Sequence, residues 1–551
     1  MLVSKVGVHR LRGVALMAVI TSVCSAGFCL FGYDQGVMSG VVVSQYWLKT
    51  MGNPSTIMVS TITAVYDIGA VVGAIAAAFT SEPLGRKRTL IFGTIVLLVG
   101  TILMGTCAER IQMMIARVVT GIGIGYITSV TPVYQSEITL PEHRGWLVCC
   151  QLTSMVGGLM LSYWINYALF FYAGGMQWRF PLLFQLVFCV YVIALTVWLP
   201  ETPRWLIRHD PTPTRGVTVL AKLRDLPEEH PIVQREAQDI INAIELESKE
   251  EGSWGDLFRS NGIMAHKRFY LALGIQFMQQ MTGICIVTYY TPTLFQVSLH
   301  MSQQMSLFLG CWVQTWYFIA SLVTWYTIDR VGRRKLWITM AIGQMILLVL
   351  EAACVAIDNP ASGAAAVCFI FLYETCFTWG WMATVWVYPP EILPLKIRAK
   401  GSALAAAADF LGNFLVVEIT PPALQNIGWR TYIIFAVLNI VQALIVYCCY
   451  PETAGQTLES IDELFRKHVE SAKGDGDGDS SGSKTWASAI QWSIVPKTDG
   501  VVRRLRIEKR AQAEVAAREQ GSIKGVAERS ETTSLEKEKA SEERVESAVR
   551  H

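Results

Sequence analysis

The sequence predicts an all-α integral membrane protein, with about twelve transmembrane helices in two six-helix halves. Three observations carry this. The 551 residues are 52% hydrophobic and only 16% charged, with a mean hydropathy of +0.37, whereas a soluble chain carries roughly a quarter charged residues. From about residue 15 to residue 450 the chain runs as apolar stretches near twenty residues each, the length that crosses about 30 Å of hydrocarbon as helix. Three polar motifs also occur twice, in the same order, about half a chain apart.

The apolar stretches define the elements. Spans are expected near residues 14–41, 57–80, 89–107, 111–132, 146–169, 180–199, 268–295, 304–328, 335–356, 363–388, 401–423 and 430–450. Several carry Thr, Ser, Gln and Gly along one side, as helices lining a cavity do. The chain is expected to divide into a cytoplasmic N-terminus (1–13), a first six-helix half (14–199), a cytoplasmic helical loop (200–267), a second six-helix half (268–450) and a cytoplasmic, largely disordered tail (451–551).

Short-loop charge predicts the orientation. Loops after even-numbered spans hold Arg86, Lys87 and Arg88, then Arg144, then Arg330, Arg333, Arg334 and Lys335, then Lys396, Arg398 and Lys400. Those after odd-numbered spans hold Lys49, Arg110, Arg179 and Arg430. The positive-inside rule makes the first set cytoplasmic, and both termini with it.

Other classes are disfavoured. The 13 cysteines lie in or beside apolar runs, the distribution of small core residues and not of a disulfide framework or zinc site. No basic cluster is dense enough for nucleic acid, and no nucleophile–base arrangement, metal spacing or phosphate loop suggests an enzyme, a metal or a cofactor. The first apolar run opens behind Lys5, Arg10 and Arg12 without a small-residue cleavage site, so no cleavable signal peptide is expected.

The repeat is specific. "EPLGRKR" is echoed by "DRVGRRK", with Gly85 and Gly332 separated by 247 residues. "SEITLPEHRG" is echoed by "PEILPLKIRAKG", with Glu137 and Glu391 separated by 254; each glutamate precedes an arginine, Arg144 or Arg398, by seven. "PETPRWL" is echoed by "PETAGQTLESID", with Pro200 and Pro451 separated by 251. Three motifs at nearly one offset indicate a duplicated six-helix unit. Two parallel halves binding substrate at their interface is the major facilitator architecture.

These motifs, with "LFGYDQG", "ARVVTGIGIG", "MQWRFPL", "QQMTG", "YYTPTLF" and "YPPEI", resemble the sugar porters of the major facilitator superfamily over residues 15–465. The likeness is strongest to fungal members, including the yeast glycerol–proton symporter type. It implies alternating-access uptake of a sugar or polyol across a plasma membrane, with protons as co-substrate. A passive facilitator and a transporter-like nutrient sensor are the alternatives.

Asp34 lies inside the first span, where a carboxylate is costly enough to need a reason. The resemblance pairs it with Arg117 of the fourth span as the proton-coupling pair; a purely structural ion pair is the bland reading. It implies sugar contacts at Gln151, Gln279, Gln280, Tyr289, Trp386 and Asn413. An amide both donates and accepts, as a sugar hydroxyl does, and a tryptophan face packs on a sugar ring. Two further expected substrate contacts, Cys285 and Asp409, depart from the family. Cys285 stands where an asparagine is usual, and Asp409–Phe410 where Asn-Trp is usual, either as drift within a subfamily or, at Asp409, as a second titratable group that selects a hydroxyl pattern.

The resemblance also implies a cytoplasmic gate of Glu82, Arg86, Glu137, Arg144, Glu201, Arg204, Asp329, Arg333, Arg334, Glu391, Arg398 and Glu452, bridging the halves when that side is shut. Here Glu82 replaces the usual Asp, and Ala78 the usual Gly. Within 200–267 the periodic Ile and Leu of "PIVQREAQDIINAIELESKEEGSWGDLF" argue for docked helices. The tail from about Lys467 lacks apolar pattern and is expected to be disordered. Its Ser, Thr and Lys are candidate sites for a kinase or ubiquitin ligase.

Overall fold

In a computed structural model, the described residues are 11–139, 144–210, 212, 214–250, 254–258, 264–357, 359–454, 461 and 465. The expected disordered tail from Lys467 lies outside them. Among the described residues the regular elements are helices.

The first half contains α1 (Gly13–Val41), the short α2 (Gln45–Thr50), α3 (Thr56–Leu84), α4 (Arg86–Gly105), α5 (Arg110–Ile138), α6 (Arg144–Phe170) and α7 (Met176–Thr196). The connection forms α8 (Pro203–His209), α9 (Thr214–Arg224), α10 (Pro231–Glu250) and a 3₁₀ turn at Trp254–Leu257. The second half contains α11 (Ala265–Met281), α12 (Ile284–Ser298), α13 (Gln303–Val331), α14 (Arg333–Ile357), α15 (Pro360–Phe377), α16 (Thr384–Ile392), α17 (Arg398–Ile427) and α18 (Arg430–Cys449).

Among the described residues, eleven helical stretches are long and apolar enough to cross a membrane. The 27-residue α6, whose first side chains lie outside the described set, adds a twelfth apolar helix long enough to span. Two spans are broken, which hydropathy did not reveal. Gly283, at φ +97°, separates α11 from α12. A π-helical turn at Thr378–Met382 separates α15 from α16, which itself contains Pro389 and Pro390. Irregular backbone at such depth is tolerated where protein buries it or a cavity receives it. The fourth span runs on through Pro132 to Ile138, beyond the expected end at residue 132.

The duplication extends to local chemistry. Both α3 and α13 have 29 residues, and each is capped by a serine, Ser55 or Ser302, accepting the backbone N–H three residues on. Both end in a glycine of positive φ, Gly85 or Gly332. Packing repeats too. Within the first half α1 lies on α6, and α5 on α3 and α4; across the halves α3 packs on α17 as α6 packs on α13.

Small residues permit the close contacts. A Cβ at Gly121 of α5 would stand 2.0 Å from the Tyr66 carbonyl oxygen of α3. In lipid, helices associate through such backbone approach and through polar contacts, since tails are as apolar as the side chains. In the connection, Leu220 and Ala221 of α9 bury against Val233 and Ala237 of α10. The Arg224–Glu236 ion pair braces the two.

Candidate functional site

The deepest charges come first. α1 carries Asp34 and α5 carries Arg117 to the interior, and both side chains are wholly buried. Arg117 Nη1 donates to both Asp34 oxygens at 3.2 Å, and its Nη2 donates to the Thr63 carbonyl at 3.2 Å. The guanidinium lies 4.4 Å from the centre of the Tyr66 ring. Gln185 of α7 adds a third contact, its Nε2 donating to Asp34 Oδ1 at 2.9 Å. Four helices of the first half thus converge on one carboxylate. Breaking such a buried pair at one partner costs about 3–5 kcal/mol, because the other charge is left uncompensated.

A cavity lies beside Asp34, between the halves. Phe31 and Gln35 of α1 line it with Met155 and Leu159 of α6. The second half contributes Gln279, Gln280, Cys285, Tyr289, Trp386, Asp409 and Asn413. These last seven are all expected substrate contacts. Gln151 stands apart from that lining: one turn from Met155, it donates to Gln135 of α5.

Five polar residues of the cavity, Gln280, Asp409, Cys285, Asn413 and Tyr289, form one hydrogen-bonded chain. Gln280 Nε2 donates to Asp409 Oδ1 at 2.7 Å. The Cys285 thiol lies 3.2 Å from Gln280 Oε1 and 2.8 Å from Asn413 Oδ1, so one S–H faces two acceptors. Asn413 Nδ2 donates to the Tyr289 hydroxyl and to Asp67 Oδ1, each at 2.9 Å. Asp67, on α3, belongs to the other half.

Asp67, Gln185 and Tyr66 were missed in reading the sequence. Asp67 carried the same signal as Asp34, an acid within an apolar run, and Gln185 is a lone amide in the sixth span. Tyr66 carried no signal.

Toward the end opposite the repeated motifs, further contacts join the halves. Thr61 donates to Glu418 at 2.7 Å, Tyr163 to the Thr288 carbonyl at 2.8 Å, and Gln303 to the Val43 carbonyl at 2.6 Å.

At the motif end each half builds the same device. Glu201 accepts the backbone N–H groups of Arg86 at 3.0 Å and Lys87 at 3.1 Å; Glu452 accepts those of Arg333 at 2.9 Å and Arg334 at 3.1 Å. A carboxylate thereby meets the positive end of α4 or α14. Arg86 reaches Glu137 at 2.9 Å, and Arg333 reaches Glu391 at 3.0 Å. Thr202 donates to Glu137 at 2.7 Å and Thr453 to Glu391 at 2.6 Å. Tyr134 and Tyr388 donate to the Pro200 and Pro451 carbonyls.

These matched contacts close within a half instead of crossing between halves, the geometry a duplicated unit dictates. Glu82 pairs with Arg86 at 2.7 Å and with Arg208 of the connection at 3.2 Å. Arg398 donates to the Leu393 carbonyl at 3.2 Å, and Arg204 is half-buried on α8. The side chains of Arg144 and Asp329 lie outside the described set.

Comparison with known proteins agrees with this architecture. A family profile described as "Sugar (and other) transporter" matches residues 18–465. The chain belongs to this sugar transporter family. An Aspergillus oryzae protein named MFS-type transporter oryC is 37% identical over 459 residues, covering 82% of this chain and 85% of the relative. The Saccharomyces cerevisiae protein named Sugar transporter STL1 is 33% identical over 482 residues, covering 85% and 84%. Among solved structures, the proton:xylose symporter XylE bound to 6-bromo-6-deoxy-D-glucose aligns at TM-score 0.69 and 24% identity, covering 82% of this chain and 99% of that one. That likeness establishes the major facilitator fold. The family member is accordingly a multi-pass membrane transporter and not an enzyme.

Proposed function

We propose that this sugar transporter family member takes up a sugar or small polyol together with protons, by alternating access, at a plasma membrane with both termini cytoplasmic. The observation that carries the reading is the wholly buried Asp34–Arg117 pair beside a cavity walled by amides, a tyrosine and a tryptophan. The printed names of relatives, a sugar transporter and a proton:xylose symporter, lend support.

The cavity residues recognise hydroxyls. Gln279 and Gln280 both donate and accept, Asp409 accepts, and Trp386 offers a ring face. Coupling follows from Asp34. While Arg117 and Gln185 hold it, the carboxylate is balanced. When helix movement separates α1 from α5, an uncompensated carboxylate in hydrocarbon is neutralised by a proton instead. If substrate binding biases that movement, proton uptake and sugar binding become linked free energies. The membrane potential contributes about 2.3 kcal/mol per charge per 100 mV to such a cycle. The paired motif networks brace each half as the two rock, and their charged residues serve as the cytoplasmic gate by pairing across the halves when that side shuts. Tail serines, threonines and lysines offer sites for a kinase or ubiquitin ligase.

The test is uptake of a labelled panel of hexoses, pentoses, disaccharides, glycerol and sugar alcohols in cells lacking their own carriers, with external pH recorded. Substrate-induced alkalinisation and uphill accumulation are expected, both abolished by Asp34→Asn. Downhill uptake without a pH change, surviving that substitution, would make the protein a facilitator.

A further inference from the structure

Asp67 has no assigned role, yet it is a wholly buried carboxylate at the junction of the two halves. Thr63, whose carbonyl holds Arg117, lies one turn before it on α3, and Tyr66, under the same guanidinium, precedes it directly. The charged and titratable neighbours are Arg117, Asp34 and Tyr66 from the first half, with Asp409, Cys285, Tyr289 and Tyr290 from the second.

Its one hydrogen bond crosses between halves. Oδ1 accepts from Asn413 Nδ2, while Oδ2 is buried without a hydrogen-bond partner. Asn413 is thereby fully engaged: Asp67 and Tyr289 take its two amide hydrogens, and the Cys285 thiol faces its carbonyl. Asn413 lines the cavity; Asp67 stands behind it.

We propose that Asp67 is a positioning residue that latches the halves together through Asn413 and competes with the substrate for that amide. A substrate hydroxyl that accepts from Asn413 must displace either Tyr289, within the same half, or Asp67, across the seam. Displacing Asp67 removes one polar tie from the α3–α17 contact, so occupancy of the cavity weakens the seam between the halves. Once the amide has left, both oxygens of Asp67 lack a donor, so displacing this contact carries a cost that the substrate's own bond to Asn413 offsets. This rests on the substrate reading above for its second half only; the latch itself exists without substrate.

The test uses the purified full-length chain, its Asp67→Ala and Asp67→Asn variants, and each of these in an Asn413→Ala background. The first readout needs no sugar. Alkylation of Cys285 by iodoacetamide, followed by peptide mass spectrometry, is expected to quicken about tenfold in Asp67→Ala and less in Asp67→Asn, which retains a neutral acceptor. Cys189, buried within the first half, reports intact folding by staying unreactive. Equal Cys285 rates in native and variant chains overturn the latch.

The second readout is equilibrium binding of D-glucose, D-xylose and glycerol by tryptophan fluorescence. Affinity for whichever binds is expected to tighten about fivefold in Asp67→Ala, with no change when Asn413 is already alanine. Unchanged or weaker binding, or the same shift in both backgrounds, overturns the competition. Binding of none of the three to the native chain counts against the substrate reading, while the alkylation result still decides the latch.

Discussion

Glu201 accepts the backbone N–H of Arg86 at 3.0 Å, and it does so through the space that Gly85 leaves empty. A Cβ on Gly85 would stand 2.5 Å from Glu201 Oε2, and one on Gly332 would stand 2.6 Å from Glu452 Oε2. The glycines also hold φ +88° and +97° with ψ near 150–160°, backbone that only glycine adopts without strain. The motif glycine, the helix-capping glutamate and the pairing arginine are one unit, built twice.

Gly85→Ala and Gly332→Ala should therefore each destabilise the folded protein by about 1–3 kcal/mol, combining backbone strain with a displaced carboxylate. Thermal melting in detergent checks this. Gly363→Ala, inside α15 where a Cβ meets nothing within 4 Å, is the control, expected to leave the melting temperature unchanged or slightly raised.

The Glu201 carboxyl lies outside the spans, and its proton affinity carries a sign. Burial raises it above the ordinary 4.5, and the N–H groups of Lys87 and Thr202 with the Arg86 charge pull it only partly back. The folded state then binds this proton more tightly than the unfolded state. Its contribution to stability is present below the ordinary value and falls as pH rises toward the raised one. Melting temperatures from about pH 4 to about pH 7 should decline less steeply in Glu201→Gln than in the native chain. An unchanged slope would refute it.

Arg117→Ala leaves Asp34 buried with Gln185 alone, and should cost about 3–5 kcal/mol of stability. Adding Asp34→Asn removes the orphaned charge, so the double variant should melt above Arg117→Ala. Simple additivity of the two losses would mean the pair is not coupled.

Cys285→Asn supplies two amide hydrogens where one thiol now serves the Gln280 and Asn413 carbonyls. Because it restores the residue usual in the resembling sugar porters, the transport KM for D-glucose is expected to fall about threefold to tenfold relative to glycerol. Parallel shifts for both would show that this position does not select between them.

Much of this was legible in the chain. Span positions, the duplication and the Asp34–Arg117 pair follow from local properties: a run of apolar residues must cross lipid, a repeated motif must fold twice alike, and a charge inside a span needs a counter-charge. The cavity amides Gln279, Gln280 and Asn413 were legible through resemblance. The breaks at Gly283 and Thr378–Met382 were not, because hydropathy averages over a window and does not see backbone angles.

Beyond Asp34 and Arg117, partnership was decided by tertiary structure. Asp67 was as visible as Asp34, but its partner Asn413 lies 346 residues away in the other half. Gln151, a sugar contact by resemblance, donates to Gln135 of α5, a partner no spacing in the chain announces. The motif charges read as ties between halves, and their matched contacts close within each half, because a duplicated unit carries its own counter-charges with it. Sequence states which groups are costly to bury; only the packing of helices distant in the chain states which group relieves each one.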